Sequence, residues 1–572
     1  MNGVVMMLAA LIILIAAYIL YGGWLAKKWG IDPKAKTPAH ELNDGVDYVP
    51  APKEVVFGHQ FASIAGAGPI NGPIIAAMFG WGPVLLWVLV GGIFFGAVQD
   101  FASLYASVKN KGRTIGYLIE MYIGKTGKRL FLLFVWLFSI LVVAAFADIV
   151  AGTFNGFNAD GTHNIANAST ATTSVLFIVA AVILGMFIYH KNPKSSISTL
   201  VSLVLLIMTI IVGLFFPIYF TKTFWLYFVF IYVFIASVTP IWALLQPRDY
   251  LNSFLLVAMI VGAFIGILIA RPTIHLHAFS GFNVNGLSMF PFLFVTIACG
   301  AVSGFHSLVA SGTTSKQIDN EKDMLPISFG AMLLESFLAV ISLIAVGALA
   351  LNGVMPQGTP PVIFASAISG FLLKLGIPSL TAYTIITLAV SAFALTSLDS
   401  VARVGRLAFQ ELFVDSQTDE TQMSPLVKLL TNKHFATLAT LFLGYLLSIG
   451  GYQNIWPLFG SANQLLSALA LSALAVFLKK TNRTGFTLWA PMVIMLGVTF
   501  TALAQTIVKI GKKLLVTGDF VIHSDGLQLV FAALLIALGF LVALSCIRKL
   551  YGKETNDTSK MAMQPKKAPV AE

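Results

Sequence analysis

Long apolar runs, separated by short polar or basic segments, cover most of this chain. A helix needs about 20 apolar residues to cross the hydrocarbon core of a bilayer. By that measure the pattern predicts an all-α polytopic membrane protein with about fifteen spans. The predicted spans are 4–25, 60–80, 82–108, 130–152, 172–190, 196–218, 223–244, 251–270, 288–310, 326–351, 379–398, 434–450, 458–478, 486–508 and 527–547.

A further apolar run, 361–376, is short and is bordered by Pro360, Pro361 and Pro378. Proline lacks the amide hydrogen that a continuing helix needs and clashes with the preceding turn. We therefore expect an external or re-entrant helix here and not a span.

The positions of Lys and Arg test the predicted topology. Cytoplasmic loops of membrane proteins carry an excess of these residues. If the N-terminus is outside, the predicted outside segments hold few of the 35 Lys and Arg, namely Lys222, Arg271, Lys374, Lys509, Lys512 and Lys513. We therefore predict an outside N-terminus, a cytoplasmic C-terminus and a disordered cytoplasmic tail at 551–572.

Composition excludes several other classes of protein. Only 10% of the residues are charged and 58% are hydrophobic, whereas soluble domains carry about 25% charged residues. The net charge of +11 lies in short loops, where it indicates topology and not a nucleic-acid partner. The sequence has no P-loop, HExxH or CxxC motif, and a Ser303–His306 pair is too common to indicate hydrolysis. We predict that the protein is not an enzyme and has no cofactor.

Two predicted spans contain helix-breaking residues. The span at 60–80 has Gly66, Gly68, Pro69, Gly72 and Pro73 close together, and a continuous helix through them is unfavourable. The span at 223–244 has a comparable interruption in the segment 236–240, followed by the sequence QPRD at 246–249. Backbone groups released at membrane depth need protein, water or a ligand as partner.

Each interruption begins a group of five predicted spans, and the charge pattern gives the two groups opposite orientations. This arrangement is typical of inverted-repeat transporters, in which two broken helices form the substrate site. Prolines that only kink helices for packing are the alternative. The predicted units are 1–56 (first span and inside loop), 57–221 (first repeat), 222–412 (second repeat), 413–550 (additional spans) and 551–572 (tail).

The interruptions supply the candidate binding residues. Helix N-termini at such breaks can receive a substrate carboxylate through backbone amides. The substrate-binding candidates are His59, Phe61, Gly66, Gly68, Asn71, Ser237, Thr239 and Trp242. Ser303, in a run of small residues, is a possible sodium ligand, although close helix packing also explains such a run.

Acidic residues in the predicted spans are the candidates for proton coupling. A carboxylate at the centre of a membrane helix costs about 2.5–3.5 kcal/mol, and a buried carboxyl group can hold a proton near neutral pH. Asp100, Asp148 and Glu335 are the proton-coupling candidates, with structural hydrogen bonding between helices as the alternative. Asp399 precedes Arg403 by one helical turn, so a structural ion pair is expected there.

Five separated motifs resemble the bacterial carbon starvation protein A (CstA) family. They are FGHQFASIAGAGP from Phe57, GAVQDF from Gly96, SGFHSLVASGTTSK from Ser303, LTSLDSVARVGR from Leu395 and WPLFGSANQL from Trp456. The resemblance implies an inner-membrane transporter, grouped with the amino acid–polyamine–organocation transporters. It also implies that the substrate is a peptide or pyruvate, that pyruvate enters with protons, and that the protein acts in the carbon starvation response.

The resulting prediction is a secondary transporter that imports a small organic nutrient with protons across the bacterial inner membrane. Its expected partners are the small-molecule substrate and the lipid bilayer, with no nucleic acid; the oligomeric state stays open. A sodium-coupled importer is one alternative. A membrane nutrient sensor that binds its ligand without net transport is the other.

Overall fold

The computed structural model describes residues 1–45, 48–158, 160–191, 195–240, 243–413, 424–483, 485–518, 520–521 and 525–551. Helices dominate the described residues, as expected for a chain whose backbone polar groups must be satisfied within lipid. The strands β1 (Asn283–Val284) and β2 (Leu287–Ser288) pair as an antiparallel hairpin. The predicted tail at 551–572 lies outside the described residues beyond position 551.

Within the described residues, the first part of the chain forms thirteen α-helices. They are α1 (Gly3–Ala16), α2 (Gly23–Trp29), α3 (Pro38–Glu41), α4 (Lys53–Ile64), α5 (Gly68–Ala76), α6 (Trp81–Gly91), α7 (Ala97–Lys109), α8 (Ile115–Tyr122), α9 (Lys125–Phe154), α10 (Ile165–Lys191), α11 (Ser195–Phe215), α12 (Lys222–Val238) and α13 (Leu245–Ala270).

Ten further α-helices follow the hairpin. They are α14 (Met289–Thr296), α15 (Gly304–Gly312), α16 (Ala331–Leu349), α17 (Pro360–Leu373), α18 (Ser379–Phe413), α19 (Pro425–Thr431), α20 (Lys433–Ser448), α21 (Tyr452–Lys480), α22 (Phe486–Lys512) and α23 (Leu527–Tyr551). Short π-helical segments extend several of these helices, at Ala17–Gly22, Gly92–Gly96, Leu325–Gly330 and Lys513–Thr517.

The helices confirm an all-α polytopic membrane protein. Within the described residues, eleven helices are long and apolar enough to cross a membrane, and the bent pair α4–α5 gives up to twelve. The other predicted spans correspond to the shorter α12 and α20 and to the divided pair α14–α15. The count of fifteen spans therefore stays a prediction, as do the boundaries of the repeats and units.

The predicted break in the second span is present. Helix α4 ends at Ile64, α5 begins at Gly68, and the two axes differ by 44°. Pro69 lies in the first turn of α5, where a missing amide hydrogen costs no hydrogen bond. The sequence features that predicted the break thus also explain where the second half-helix begins.

The other predicted interruption has a different form. Helix α12 ends at Val238 with Thr239 extended, and a new helix begins at Leu245, so Pro240 separates two helices and does not divide one span. The second divided span is instead the pair α14–α15, whose helices are separated by 297–303. The interruption predicted at 236–240 is thus present as a break between two helices, and its pairing with the first break in a repeat stays a prediction.

The two long helices α9 and α18 pack along each other at the centre of the bundle. A Cβ atom added to Gly405 on α18 would lie 2.8 Å from Ser139 Cβ on α9, so a small residue permits this close approach. Helices α12, α20 and α21 also pack against α9, while α16 packs against α5. The residues at the two breaks, 64–68 and 297–303, are buried within the bundle.

Candidate functional site

The interruptions of α4–α5 and α14–α15 face each other inside the bundle. A Cβ atom added to Gly68 would lie 2.3 Å from the Cβ atom of Cys299. One added to Gly66 would lie 2.5 Å from Ser397 Oγ on α18. Any side chain at these two positions would push the neighbouring elements apart, so glycine is required by close approach.

Side chains of α7 and α21 bind the second break. Asn463 Nδ2 lies 3.0 Å from Ser303 Oγ, and Asn463 Oδ1 accepts from the backbone N–H of Phe305 at 3.2 Å. Gln99 Nε2 donates to the Ser303 carbonyl oxygen at 2.6 Å. Both oxygens of Ser303, the possible sodium ligand, are therefore already hydrogen-bonded to protein groups.

Asn71, a predicted substrate residue, is buried on α5 without any side-chain hydrogen bond. Thr296 Oγ1 at the end of α14 is likewise buried and unpaired. A Cβ atom on Gly72, the next residue after Asn71, would lie 2.6 Å from the Thr296 carbonyl oxygen. An unpaired buried polar group costs about 1–3 kcal/mol, so this region is suited to a polar ligand that supplies the missing hydrogen bonds.

Two other predicted substrate residues lie on α4. Phe61 is buried one turn before the break and stacks on Phe57, with 6.0 Å between the ring centroids. His59 lies further from the break, with Nδ1 3.7 Å from Asp249 Oδ2 on α13 and Nε2 3.3 Å from Thr313 Oγ1. Phe61 therefore borders the break, whereas His59 joins α4 to other helices.

The remaining predicted substrate residues lie at the end of α12 or just after it. Ser237 Oγ lies 3.4 Å from Thr437 Oγ1 on α20. Thr239 Oγ1 donates to the Ile235 carbonyl oxygen at 2.7 Å. Their hydrogen bonds do not reach either broken helix. Trp242 lies outside the described residues.

Two of the three proton-coupling candidates meet at a histidine. His306 Nδ1 lies 2.9 Å from Asp100 Oδ2, and His306 Nε2 lies 3.4 Å from Glu335 Oε2. All three side chains are fully buried, on α15, α7 and α16 respectively. We call these three residues the histidine cluster. The sequence reasoning gave His306 no role, although its place just after the run of small residues was a visible signal.

Asp100 and Glu335 in the histidine cluster cannot both be ionised without a large free-energy cost, because no fixed positive charge among the described residues compensates them. In the part of the chain that the structure describes, neither carboxyl group has a Lys or Arg partner, and both Glu335 oxygens and Asp100 Oδ1 lack a hydrogen bond. With a neutral imidazole and two carboxylates the net charge is −2, and two bound protons bring it to zero. Because an uncompensated buried charge is costly, the cluster is suited to taking up and releasing protons.

Asp148, the third candidate, lies apart from this cluster. Its Oδ1 is 2.7 Å from Lys222 Nζ, and its Oδ2 accepts from the backbone N–H of Tyr452 at 3.0 Å. The carboxylate is thus balanced by an ammonium group and by the first turn of α21. These contacts fit the structural alternative given for Asp148.

A second group of buried charges surrounds Arg248 on α13. Arg248 Nη1 pairs with Asp399 Oδ2 on α18 and with the hydroxyl of Tyr232 on α12. The Tyr232 hydroxyl also lies 2.7 Å from Asp399 Oδ2, and Asp249 Oδ1 is 3.6 Å from Arg248 Nη2. We call these four residues the arginine cluster; it joins three helices through one permanent cation.

The predicted ion pair between Asp399 and Arg403 is wrong. Arg403 Nη2 instead donates to the carbonyl oxygens of Ala236 and Thr239, at 2.9 and 2.7 Å. The last carbonyls of a helix have no intrahelical partner, so a cation near the end of α12 satisfies them. Arg248, which is distant in sequence, takes the place beside Asp399.

Within the described residues, no group of three or more His, Cys, Asp or Glu side chains is arranged to hold a metal ion. The polar centre of the bundle therefore consists of two facing breaks with unpaired hydrogen-bonding groups, a histidine cluster that can exchange protons, and an arginine cluster with a permanent charge. This arrangement can bind a polar solute at the breaks, and the histidine cluster can bind and release protons.

Comparison with known families gives a match over most of the chain. Residues 2–361 and 351–502 match the family described as carbon starvation protein CstA. The peptide transporter CstA of Escherichia coli (strain K12) is 34% identical, over 86% of this chain and 79% of that protein. The pyruvate/proton symporter BtsT of the same strain is 31% identical, over 85% of this chain and 78% of that protein.

Among solved structures, the crystal structure of MhsT in complex with L-phenylalanine has 14% sequence identity and a TM-score of 0.49. The similarity covers 87% of this chain and 99% of that one.

Proposed function

The chain belongs to the carbon starvation protein CstA family, and from this premise we propose that it imports peptides or pyruvate by secondary active transport, with a proton as the coupling ion. It is a multi-pass membrane protein of a transporter class. The observation that carries the proposed coupling is the histidine cluster, in which two buried carboxyl groups contact one imidazole.

The position of the cluster supports proton coupling. Asp100, His306 and Glu335 lie on three different helices, and α15 directly follows the second break. A movement of α15 relative to α7 and α16 would change both the separations of the three groups and their access to water. The proton affinity of the cluster then depends on the conformation of the transporter, which is the requirement for coupling.

The substrate site is proposed to lie between the two breaks. Asn71 offers an amide with free donor and acceptor atoms, and Thr296 offers a free hydroxyl. Pyruvate and peptides both carry a carboxylate and carbonyl oxygens that can accept or share such hydrogen bonds. The N-terminal turn of α5 adds a partial positive charge toward the substrate carboxylate.

Uptake by proteoliposomes that contain the purified full chain tests the proposal. A pH difference of one unit supplies about 1.4 kcal/mol per proton, so one coupled proton accumulates a monoanion about tenfold. We expect labelled pyruvate or dialanine to accumulate under an inward proton gradient, and a protonophore to abolish the accumulation. The matched variant Glu335→Gln should keep exchange of labelled for unlabelled substrate but lose accumulation.

Other outcomes would select other functions. Accumulation that follows a sodium gradient and survives the protonophore would contradict proton coupling. Saturable binding with neither uptake nor exchange would indicate a nutrient sensor. Neither alternative is favoured by a specific contact, since both oxygens of Ser303 are hydrogen-bonded to protein.

We also propose that the transporter acts when preferred carbon sources are scarce, in a bacterial inner membrane with its N-terminus outside. The name of the matching family supports the first part, and the Lys and Arg distribution supports the orientation. Loss of growth on peptides or pyruvate in a deletion strain, with normal growth on a sugar, is the expected result. Labelling of single cysteines at the two termini tests the orientation.

A further inference from the structure

Within the described residues, one edge of the guanidinium group in the arginine cluster makes no hydrogen bond. Arg248 is 1% exposed, and its Nη1 atom is used by Asp399 and Tyr232. Its Nε and Nη2 atoms have no hydrogen-bond partner, and Asp249 Oδ1 at 3.6 Å from Nη2 is too distant to provide one. A fully buried Arg with two free donors is rare because each unmade hydrogen bond destabilises the fold.

The free atoms have the geometry of a carboxylate site. The N–H bonds of Nε and Nη2 project side by side from one edge of the planar guanidinium group. A carboxylate binds such an edge through two parallel hydrogen bonds, which are stronger than those between neutral groups. A hydroxyl or a single carbonyl oxygen would use only one of the two donors.

Polar side chains connect this edge with the first break. Asn252 lies one turn after Arg248 on α13, with its Oδ1 unpaired and its Nδ2 donating to Thr396 Oγ1 on α18. The next residue on α18, Ser397, has its hydroxyl against Gly66 of the first break. Arg248, Asn252, Thr396 and Ser397 are all buried, so they form a polar track through the protein interior.

We propose that the Nε–Nη2 edge of Arg248 is a second binding position for the carboxylate of the transported substrate, reached from the first break along this track. The inference rests on the proposed function in so far as the ligand is the transported nutrient. It assigns that nutrient to one chemical class, small organic anions with a free carboxylate. For a peptide ligand, Asn252 Oδ1 would accept a hydrogen bond from an N–H group of the same molecule; pyruvate has no such donor.

The local charges make this site compatible with proton symport. Asp399 and Asp249 already place two carboxyl groups near one guanidinium group. A substrate carboxylate adds a third, and a proton on Asp249 offsets it. The hydroxyl group of Tyr232 contacts Arg248 and Asp399 and adds no charge to the cluster.

Ligand binding to the purified full chain tests the inference separately from transport. The probes are pyruvate with its neutral methyl ester, and dialanine with its neutral C-terminal amide. Binding is measured by thermal stabilisation and equilibrium binding in detergent. The test variant is Arg248→Gln combined with Asp399→Asn, which removes the cation together with the carboxyl group that contacts it most closely. Asp249 keeps His59 as a neighbour in this variant, 3.7 Å from its Oδ2.

We expect the wild-type chain to prefer at least one carboxylate probe over its neutral form, and the double variant to lose that preference, with affinity for the carboxylate about 10- to 100-fold weaker. Lys109→Gln with Glu321→Gln is the matched control, since it removes another ion pair, at 2.6 Å, from outside the track. The control should retain wild-type preference.

An unchanged carboxylate preference in a folded Arg248→Gln/Asp399→Asn variant would overturn the inference, as would a wild-type chain with no preference. Failure of the wild-type chain to accumulate substrate, with the preference and its loss in the variant intact, would instead count against the proposed function alone. If the double variant does not fold, Asn252→Leu is measured in its place. A smaller weakening, for dialanine, is expected from that variant, and unchanged affinity for dialanine would reject the track.

Discussion

The histidine cluster and the arginine cluster are both fully buried, yet they differ in the source of their positive charge. In the histidine cluster, two carboxyl groups share one imidazole, and every charge in it can be formed or removed by proton transfer. In the arginine cluster, Asp399 contacts a guanidinium group, which stays charged at any physiological pH.

This difference separates the two roles that buried charges have in a membrane protein. A group of titratable residues without a fixed cation can change its net charge at low cost, so it can take part in a transport cycle. A fixed cation must keep its counter-ion in every state, so its pair holds helices together and can exchange only one anion for another. Substitutions in the two clusters should therefore have different effects on stability and on transport.

Removing the fixed cation alone should have the largest effect. Arg248→Gln leaves Asp399 buried beside Tyr232 without its cation, and breaking a buried ion pair in this way costs about 3–5 kcal/mol. Thermal unfolding of the purified protein should show a marked loss of stability or failure to fold. Restored stability in the Arg248→Gln/Asp399→Asn variant is the control, and an unimpaired Arg248→Gln protein would contradict the structural role of the pair.

Removing one carboxyl group from the histidine cluster should affect transport far more than stability. Glu335→Gln replaces a titratable group that has no hydrogen bond in the structure with a neutral group of the same shape. Accumulation under a pH gradient of one unit should fall from about tenfold to about onefold, while thermal stability stays equal or rises. Accumulation that remains tenfold would remove Glu335 from the coupling path.

Replacing the unpaired amide of Asn71 at the first break should stabilise the protein and weaken substrate binding. Asn71→Leu replaces a buried side chain without hydrogen bonds by an apolar one of similar volume. We expect the free energy of unfolding to rise by about 1 kcal/mol and the apparent affinity for substrate to fall. Val84→Ala, at a buried apolar position on α6, is the control for packing changes; equal losses of affinity in both variants would argue against a binding role.

Local sequence features were sufficient for the helices and for the first break. The apolar runs predicted the spans because lipid leaves the backbone no other choice, and Pro69 and Pro73 marked the break directly. The second divided span, α14–α15, contains no proline between its halves. Its unwound segment is held by Gln99 and Asn463, and these long-range hydrogen bonds leave no local signal in the sequence.

The same limit applies to the charged clusters. The rarity of carboxyl groups in membrane helices singled out Asp100 and Glu335, but His306 is 206 residues from Asp100, so their contact could not be read from spacing. For Asp399 the spacing rule was misleading. Arg403 lies one helical turn from Asp399 in sequence, but its guanidinium group binds other partners. Arg248 is 151 residues away in sequence, and its side chain contacts Asp399 in the folded bundle.

The smallest effect on stability and transport is expected at the ion pair between Lys222 and Asp148. This pair differs from the two clusters because its cation is partly exposed to solvent. Lys222 Nζ is 2.7 Å from Asp148 Oδ1, but the Lys side chain is 45% exposed, so water can replace it in part. Lys222→Gln should lower stability by about 1 kcal/mol at most and leave proton-driven accumulation unchanged, because Asp148 keeps the backbone N–H of Tyr452 as a partner. Uptake assays with a pH gradient and thermal unfolding check both parts. Loss of accumulation in this variant would return Asp148 to the proton path and would show that a partly exposed pair, and not only a buried titratable cluster, can control coupling.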